Sequence, residues 1–351
     1  MNLNSRRGFL SKGAIMAGGL LVGNKSNSRK TSTKSSFRDG YIIGHGDFKY
    51  KVHKNWGNLN ADKYPVHHCH EMVQDKKGRL IMCNTDTRNN IMIYDRSGKL
   101  LETWGNEFPG AHGLTLVDEG GEEFLYLTDT VLHKVFKLNL KGKKILTIDY
   151  PDIPELYTKS IEFTPTETVV TSDGDILIAD GYGKDYVLRY DQSGNFMNYF
   201  AGKGDHEKHV RNAHGICIDT RGGKSSLLVT SRATQEVKRF SMAGEFIETI
   251  KLPGCSICRP VIKGDNLYFA VIITKSWWDY DGMVAVLDKN NKVVSLPGGS
   301  VPEYVDGVLQ KPDYDGETFM NPHDVCIDED ENIYVPQWFS GKTYPIKLER
   351  V

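Results

Sequence analysis

Four histidines in this 351-residue chain each open a short apolar run of the same shape: His70-Glu-Met-Val, His112-Gly-Leu-Thr-Leu, His214-Gly-Ile-Cys-Ile and His323-Asp-Val-Cys-Ile. One histidine at the head of a strand is usually a packed or surface residue. Four at equivalent points of a repeating unit are different, because a residue type fixed at one point of a repeat lands at one place in the assembled fold. Neutral imidazoles that converge while leaving coordination positions open make a catalytic zinc site, not a closed structural one. The expected chemistry is therefore metal-assisted.

The elements that must position these residues are short strands. Each histidine run passes through an acidic or Gly-rich turn into a second apolar run, as in Asp118-Glu-Gly-Gly-Glu-Glu before Phe124-Leu-Tyr-Leu, or Asp328-Glu-Asp-Glu-Asn before Ile333-Tyr-Val. Strand clusters start near His70, His112, Thr166, His214, Cys258 and His323, at spacings of 42, 54, 48, 44 and 65 residues. Propeller blades repeat at roughly 40 to 50 residues, so six units result, with a loop lengthening the last interval. The second unit reads as four strands: His112 to Val117, Phe124 to Thr128, Lys134 to Leu138 and Ile145 to Tyr150. Asp95-Arg-Ser-Gly98, Asp191-Gln-Ser-Gly194 and Asp288-Lys-Asn-Asn291 are hairpin turns between third and fourth strands.

Glycine-rich, aromatic-rich composition and the lack of any amphipathic helical stretch after residue 37 agree with this reading. The pattern predicts an all-β, six-bladed β-propeller over residues 37–351. The sixth unit has only three strands before the chain ends, and Phe48-Lys-Tyr-Lys-Val-His-Lys-Asn-Trp56 has no unit of its own. That N-terminal segment should complete the last blade and close the ring without an exposed edge. First strands line a propeller's channel, so all four histidines should face it.

Residues 1–36 read as a signal and linker. Ser5-Arg6-Arg7-Gly8-Phe9-Leu10-Ser11-Lys12 is a twin-arginine pattern followed by a weakly apolar stretch, Gly13 to Gly23. That stretch is too short to span a bilayer stably. Export to the periplasm or medium is expected. The segment holds seven basic residues and no acid, which leaves the remainder at a net charge of −8. Such a surface offers no footprint for nucleic acid or anionic lipid. The six cysteines could form disulfides in an exported protein. Cys255-Ser-Ile-Cys258 is the one close pair, and no βαβ pattern surrounds it to suggest a thioredoxin-like role. No Gly-x-Ser-x-Gly elbow, phosphate loop or dinucleotide fingerprint is present.

Particular stretches carry a resemblance. Ala111-His-Gly-Leu-Thr-Leu with Leu127-Thr-Asp-Thr-Val-Leu-His-Lys-Val-Phe-Lys-Leu138, Pro165-Thr-Glu with Ile178-Ala-Asp-Gly-Tyr182, Ala213-His-Gly-Ile with Thr230-Ser-Arg232, and Pro322-His-Asp-Val resemble the peptidyl-α-hydroxyglycine α-amidating lyases. These are NHL-type six-bladed propellers that cleave hydroxyglycine-extended peptides into amide and glyoxylate. The resemblance runs from about residue 42 to 351. It implies zinc on His112, His214 and His323, and a structural calcium on Asp324 and the carbonyls of Leu114 and Met72. It also implies Tyr182 as the catalytic tyrosine and Arg232 as its arginine partner. Thr85 stands where the family carries a further arginine, and Asn321 where it carries a methionine. His70 stands where the lyases need no histidine and is a candidate additional ligand. The family's disulfide positions align with non-cysteine residues.

The leading expectation is an exported, monomeric, zinc-dependent lyase acting at a carbinol centre of a small-molecule or peptide substrate in the channel. Tyr182 serves as base, held toward phenolate by Arg232. A propeller metalloenzyme acting on a sugar or lactone is the alternative on the same fold. A non-catalytic NHL-type binding scaffold is the alternative from another class. Other histidines carry less: His206 and His209 lie in a Lys- and Glu-rich loop, His67 and His68 flank the inner-strand position, and His133 starts a third strand. Trp277-Trp278-Asp-Tyr280 lies on a long loop of the fifth unit that could cover a ligand.

Overall fold

Alternating apolar runs broken by Asx-type turns leave the backbone one economical option, the four-stranded antiparallel meander. In the turn Asp95–Lys99 the Asp95 carboxylate accepts the N–H groups of Ser97 and Lys99, and Asp191 and Asp288 do the same in their own blades. A computed structural model describes residues 39–273 and 281–351. The twin-arginine segment, the linker and the Trp277–Tyr280 loop lie outside the described residues.

The described chain forms six radial sheets, each antiparallel. Blade 1 spans Cys69–Gln74, Leu80–Asn84, Ile91–Tyr94 and Leu100–Trp104. Blade 2 spans Ala111–Glu119, Glu122–Asp129, Lys134–Asn139 and Lys144–Ile148, close to the expected strands. Blade 3 runs from Glu167–Val170 to Phe196–Ala201, and blade 4 from Ala213–Asp219 to Phe246–Lys251. Blade 5 departs from the regular pattern. Its inner strand is only Ser256–Ile257, and a separate piece, Val261–Lys263, pairs with the same neighbour, Asn266–Ile273. A two-stranded hairpin, Tyr304–Val305 with Val308–Leu309, accounts for part of the long interval before blade 6.

Blade 6 closes the ring as expected and then exceeds the expectation. Phe48–His53 pairs with the C-terminal strand Ile346–Arg350, and a fifth strand, Ile42–His45, pairs outside it. Cores form between blades: six buried apolar clusters each draw on two neighbouring sheets, and the cluster of Met72, Tyr94, Cys326 and Tyr334 joins blade 6 to blade 1. Six interfaces for six blades means no blade face is left unpaired. Trp56 reinforces this seam, with its ring 4.8 Å from Tyr334 and 5.5 Å from Tyr94. Arg96 of blade 1 ion-pairs with Asp328, Glu329 and Asp330 of blade 6. Helical backbone in the described residues is confined to two short turns, Ser160–Glu162 and Arg232–Thr234.

The inner strands of blades 1, 2 and 4 share one irregularity. Register shifts between Cys69 and Met72, between Ala111 and Leu114, and between Ala213 and Ile216. A bulge re-aims the side chains it contains. His70, His112 and His214 sit inside these bulges. In blade 6, His323 precedes its short strand, Cys326–Ile327, and is held there by its N–H donating to the Pro336 carbonyl at 3.0 Å.

Candidate metal centre and active site

The four histidines meet on the propeller axis, all buried. Ring centroids lie 4.4 Å apart for His70 and His112, 4.6 Å for His70 and His323, and 4.9 Å for the pairs among His112, His214 and His323. Their tautomers follow from their partners, since a carbonyl can only accept. His112 Nδ1 donates to the Thr166 carbonyl at 2.8 Å, and His323 Nδ1 to the His70 carbonyl at 3.1 Å. Both therefore turn an Nε2 lone pair toward the axis. Such second-side hydrogen bonds are how proteins orient metal-binding imidazoles.

Burial pushes His112 down to about 3 and the other three well below the usual histidine range. Neutral imidazole is the metal-binding form. Ligand atoms of His70, His112 and His323 lie within 4.8 Å of one another, and so do those of His214, Cys258 and His323. These residues fit a divalent transition metal. His70, expected only as an additional ligand, belongs to one tight trio, and Cys258, expected only as the start of the fifth unit, belongs to the other.

Tyr182 reaches this cluster from the turn between the second and third strands of blade 3. Its ring is 42% exposed toward the mouth of the channel, while its hydroxyl lies deep, 3.2 Å from His112 Nε2 and 3.1 Å from His214 Nε2. Arg232, from the equivalent turn of blade 4, donates to that hydroxyl at 3.0 Å. Arg232 is itself aimed by Asn212, whose Oδ1 accepts from Nε at 2.7 Å while its Nδ2 donates to the Gly181 carbonyl at 2.7 Å. Asp180 fixes the tyrosine turn by accepting the N–H groups of Thr164 and Lys184 and the Tyr157 hydroxyl. One expectation changes sign. Burial raises the Tyr182 phenol, and the opposing pull of Arg232 does not cancel it, so these residues alone leave the phenol neutral.

A cavity of about 720 Å³ opens above the histidines, lined among others by His67, His68, Thr85, Val131 and Trp338. Thr85, at the position of the family's arginine, spends its hydroxyl on the His67 carbonyl at 2.8 Å, and His67 Nδ1 lies 2.9 Å from it. His206 and His209 do not join the site. His209 Nδ1 accepts the His206 backbone N–H at 3.0 Å, a local turn. His133 is structural, with Nδ1 donating to the Phe163 carbonyl at 2.7 Å. All six cysteines are free thiols, including Cys255 and Cys258.

The expected calcium site is corrected. Asp324, Leu114 and Met72 do converge on the axis beneath the histidines, but on the guanidinium of Arg259. Nε and Nη2 reach the two Asp324 oxygens at 3.1 and 2.6 Å, Nη1 reaches the Leu114 carbonyl at 2.9 Å, and Nη2 the Met72 carbonyl at 3.2 Å. Every group that would ligate calcium is occupied by a donor of the protein, so the residues do not fit the ion.

The class defined by this fold and site is a six-bladed propeller with a buried histidine cluster on its axis and an open cavity above it. No protein-family model matches the chain. Curated relatives include peptidyl-α-hydroxyglycine α-amidating lyase 1 of Drosophila melanogaster, 35% identical over 155 residues, covering 43% of this chain and 26% of the relative. A probable amidating lyase of Caenorhabditis elegans is 32% identical over 108 residues, covering 30% of each. The chain spans about a quarter to a third of the length of these relatives. Among solved structures, a streptogramin B lyase aligns over 84% of this chain and 96% of its own at a TM-score of 0.56 and 14% identity. A Xanthomonas campestris gluconolactonase aligns over 89% and 98% at 0.59 and 11% identity. The structures carry the fold, and over part of its length the chain is similar in sequence to amidating lyases.

Proposed function

We propose that this protein is an exported, zinc-dependent lyase that breaks a carbon–nitrogen bond at a carbinol centre, as in α-hydroxyglycine-extended peptides. The observation that carries the reading is the Tyr182 hydroxyl, set between two axial imidazole nitrogens and one guanidinium. A scaffold needs no such group.

His112, His214 and His323, with His70 beside them, are the residues that hold the metal. When bound there, a divalent cation would supply Lewis acidity, lowering the pKa of a substrate hydroxyl and of the neighbouring phenol. Tyr182 then accepts the carbinol proton, the oxygen's electron pair closes the carbonyl, and the carbon–nitrogen bond breaks as Tyr182 passes that proton to the leaving nitrogen. Arg232 offsets the negative charge on Tyr182 before that transfer and fixes its oxygen in place. The Asn212 and Asp180 hydrogen bonds keep both groups in register.

A second reading, a propeller metalloenzyme acting on a sugar or lactone, is favoured by Thr85. A threonine tied to His67 supplies no cation for a substrate carboxylate. Metal analysis and a glyoxylate-release assay on an α-hydroxyglycine peptide test the two. One transition metal per chain, lost in His214→Ala, with glyoxylate formed by the wild type, supports the lyase. Metal without glyoxylate, together with hydrolysis of a lactone, supports the alternative. Full metal occupancy in His214→Ala defeats the ligand assignment. Export is tested by fractionating cells that express the Arg6→Lys, Arg7→Lys pair, which should retain the protein inside.

A further inference from the structure

We propose that Arg259 is a resident cation that takes the axial position assigned by the lyase resemblance to calcium, so that this propeller closes without a structural metal. The residue that follows each channel-facing residue forms a second tier: Glu71, Gly113, Glu167, Gly215, Arg259 and Asp324. Glu71, Glu167 and Asp324 are fully buried, and Arg259 is the cation among them. Besides its fork on Asp324, the guanidinium lies 3.4 Å from Glu71 and 3.7 Å from Glu167.

Each of these carboxylates is also tied to backbone on an inner strand. Glu71 accepts the Leu114 N–H at 2.7 Å, Asp324 the Met72 N–H at 3.0 Å, and Glu167 the Thr168 N–H at 2.8 Å. Arg259 from blade 5 thereby links blades 1, 2, 3 and 6. The two glycines make room. A Cβ at Gly215 would stand 2.5 Å from Arg259 Cα, and one at Gly113 would stand 2.5 Å from the Thr166 carbonyl oxygen and 3.0 Å from Glu167 Cα.

The chemistry of the two cations differs in a way that makes the substitution self-consistent. Calcium gathers six to eight oxygens around a point at about 2.3–2.6 Å. A guanidinium presents five donors in a plane and matches a carboxylate plus flanking carbonyls. The oxygen-to-nitrogen distances here are hydrogen-bond distances, with four of the five N–H groups spent on Asp324, Leu114 and Met72. With the cation covalently attached, removing free calcium leaves the tier intact. Arg259 also lines a lower pocket of about 450 Å³ together with Met72, Thr115, Ile216 and Val325.

The test is calcium binding and thermal unfolding of the full chain. Wild-type protein passed through calcium buffer and gel filtration should hold no stoichiometric calcium, and EGTA should leave its Tm unchanged. Arg259→Ala should lower Tm by roughly 5–10 °C, the scale of an uncompensated buried charge cluster. Calcium should then bind that variant and restore Tm with increasing concentration, since the vacated space is lined by three carboxylates and two carbonyls. Arg259→Lys should recover part of the Tm and keep calcium out. Stoichiometric calcium in the wild type, or a Tm that falls with EGTA, overturns the proposal even if Arg259→Ala does not fold. A folded Arg259→Ala with unchanged Tm overturns it as well.

Discussion

One residue separates two rings of side chains along the same six inner strands. The upper ring is His70, His112, Thr166, His214, Cys258 and His323, and the lower is Glu71, Gly113, Glu167, Gly215, Arg259 and Asp324. Both are buried, and both are polar. The upper ring is left incomplete: its imidazole lone pairs face one another beneath an open cavity, and buried His214 Nδ1 has no hydrogen-bond partner. The lower ring pairs its charges internally, with its cation covalently supplied and its carboxylates bonded to three strands, leaving only Glu71 Oε1 and Glu167 Oε2 without a hydrogen bond. Desolvated polar groups are costly unless paired. A site that pairs them internally is a fastener, and a site that leaves them unpaired awaits a ligand.

That contrast predicts where mutations hurt. The largest effect belongs to the lower ring. Asp324→Ala leaves Arg259 buried without its bidentate partner, and unfolding by denaturant should show a loss of about 3–5 kcal/mol. A loss within about 0.5 kcal/mol, the range of surface substitutions, would falsify the assignment of Arg259 and Asp324 as the fastener. The upper ring should answer in activity instead. Tyr182→Phe removes one hydroxyl from a half-exposed ring, so metal content and unfolding free energy should hold while turnover falls about 10²-fold, near 2.7 kcal/mol. Undiminished turnover in that variant would remove Tyr182 from the chemistry.

The upper ring also has a pH signature. Burial holds His112 at about 3, below its ordinary 6.5, and shifts its three neighbours in the same direction. As pH drops below 6.5 the unfolded chain takes up protons that the folded protein refuses, so stability is complete above 6.5 and declines toward the folded values. Each residue contributes at most about 1.4 kcal/mol per pH unit. Tm of chelator-treated protein should therefore slope downward from pH 6.5 to 5. A flat profile in that window would show that the imidazoles are not held neutral.

Much of this was legible in the residues. The histidine repeat, the hairpin turns and the orphan segment at Phe48 to Trp56 located the blades, the axis and the closing strand, because each depends on local pattern. The fifth strand Ile42–His45 was not legible, since pairing at an outer edge leaves no constraint on inner residues. The inner strand of blade 5 is interrupted between Ile257 and Val261, where Pro260 has no N–H to give the ladder. Arg259 itself had a signal. Aligning the six units at His70, His112, Thr166, His214, Cys258 and His323 puts one arginine against three carboxylates and two glycines at the next position. Cys258 shared that signal, standing at the head of the fifth unit where four other units carry histidine, whereas Asn212 had none, because its role arises from contacts across blades.

The smallest predicted effect asks how the lower ring balances its charge. One guanidinium faces three carboxylates, and Asp324 claims its two-pronged contact. Burial drives Glu71 well above the ordinary carboxylate range against the pull of Arg259, and the neighbouring Glu167 and Asp324 add to the rise. Glu71 Oε1 has no hydrogen-bond partner, and neither has Glu167 Oε2, which lies 3.7 Å from Arg259 Nε. Glu71 then enters the folded state protonated and accepts the Leu114 N–H through its other oxygen. Glu71→Gln keeps the shape and a donor toward Glu167, so its cost should stay within about 0.5–1 kcal/mol, far below that of Asp324→Ala. Unfolding titrations of the two variants side by side decide the matter. A Glu71→Gln loss as large as that of Asp324→Ala would mean that Glu71 is ionised and that Arg259 is shared between two carboxylates instead of committed to one.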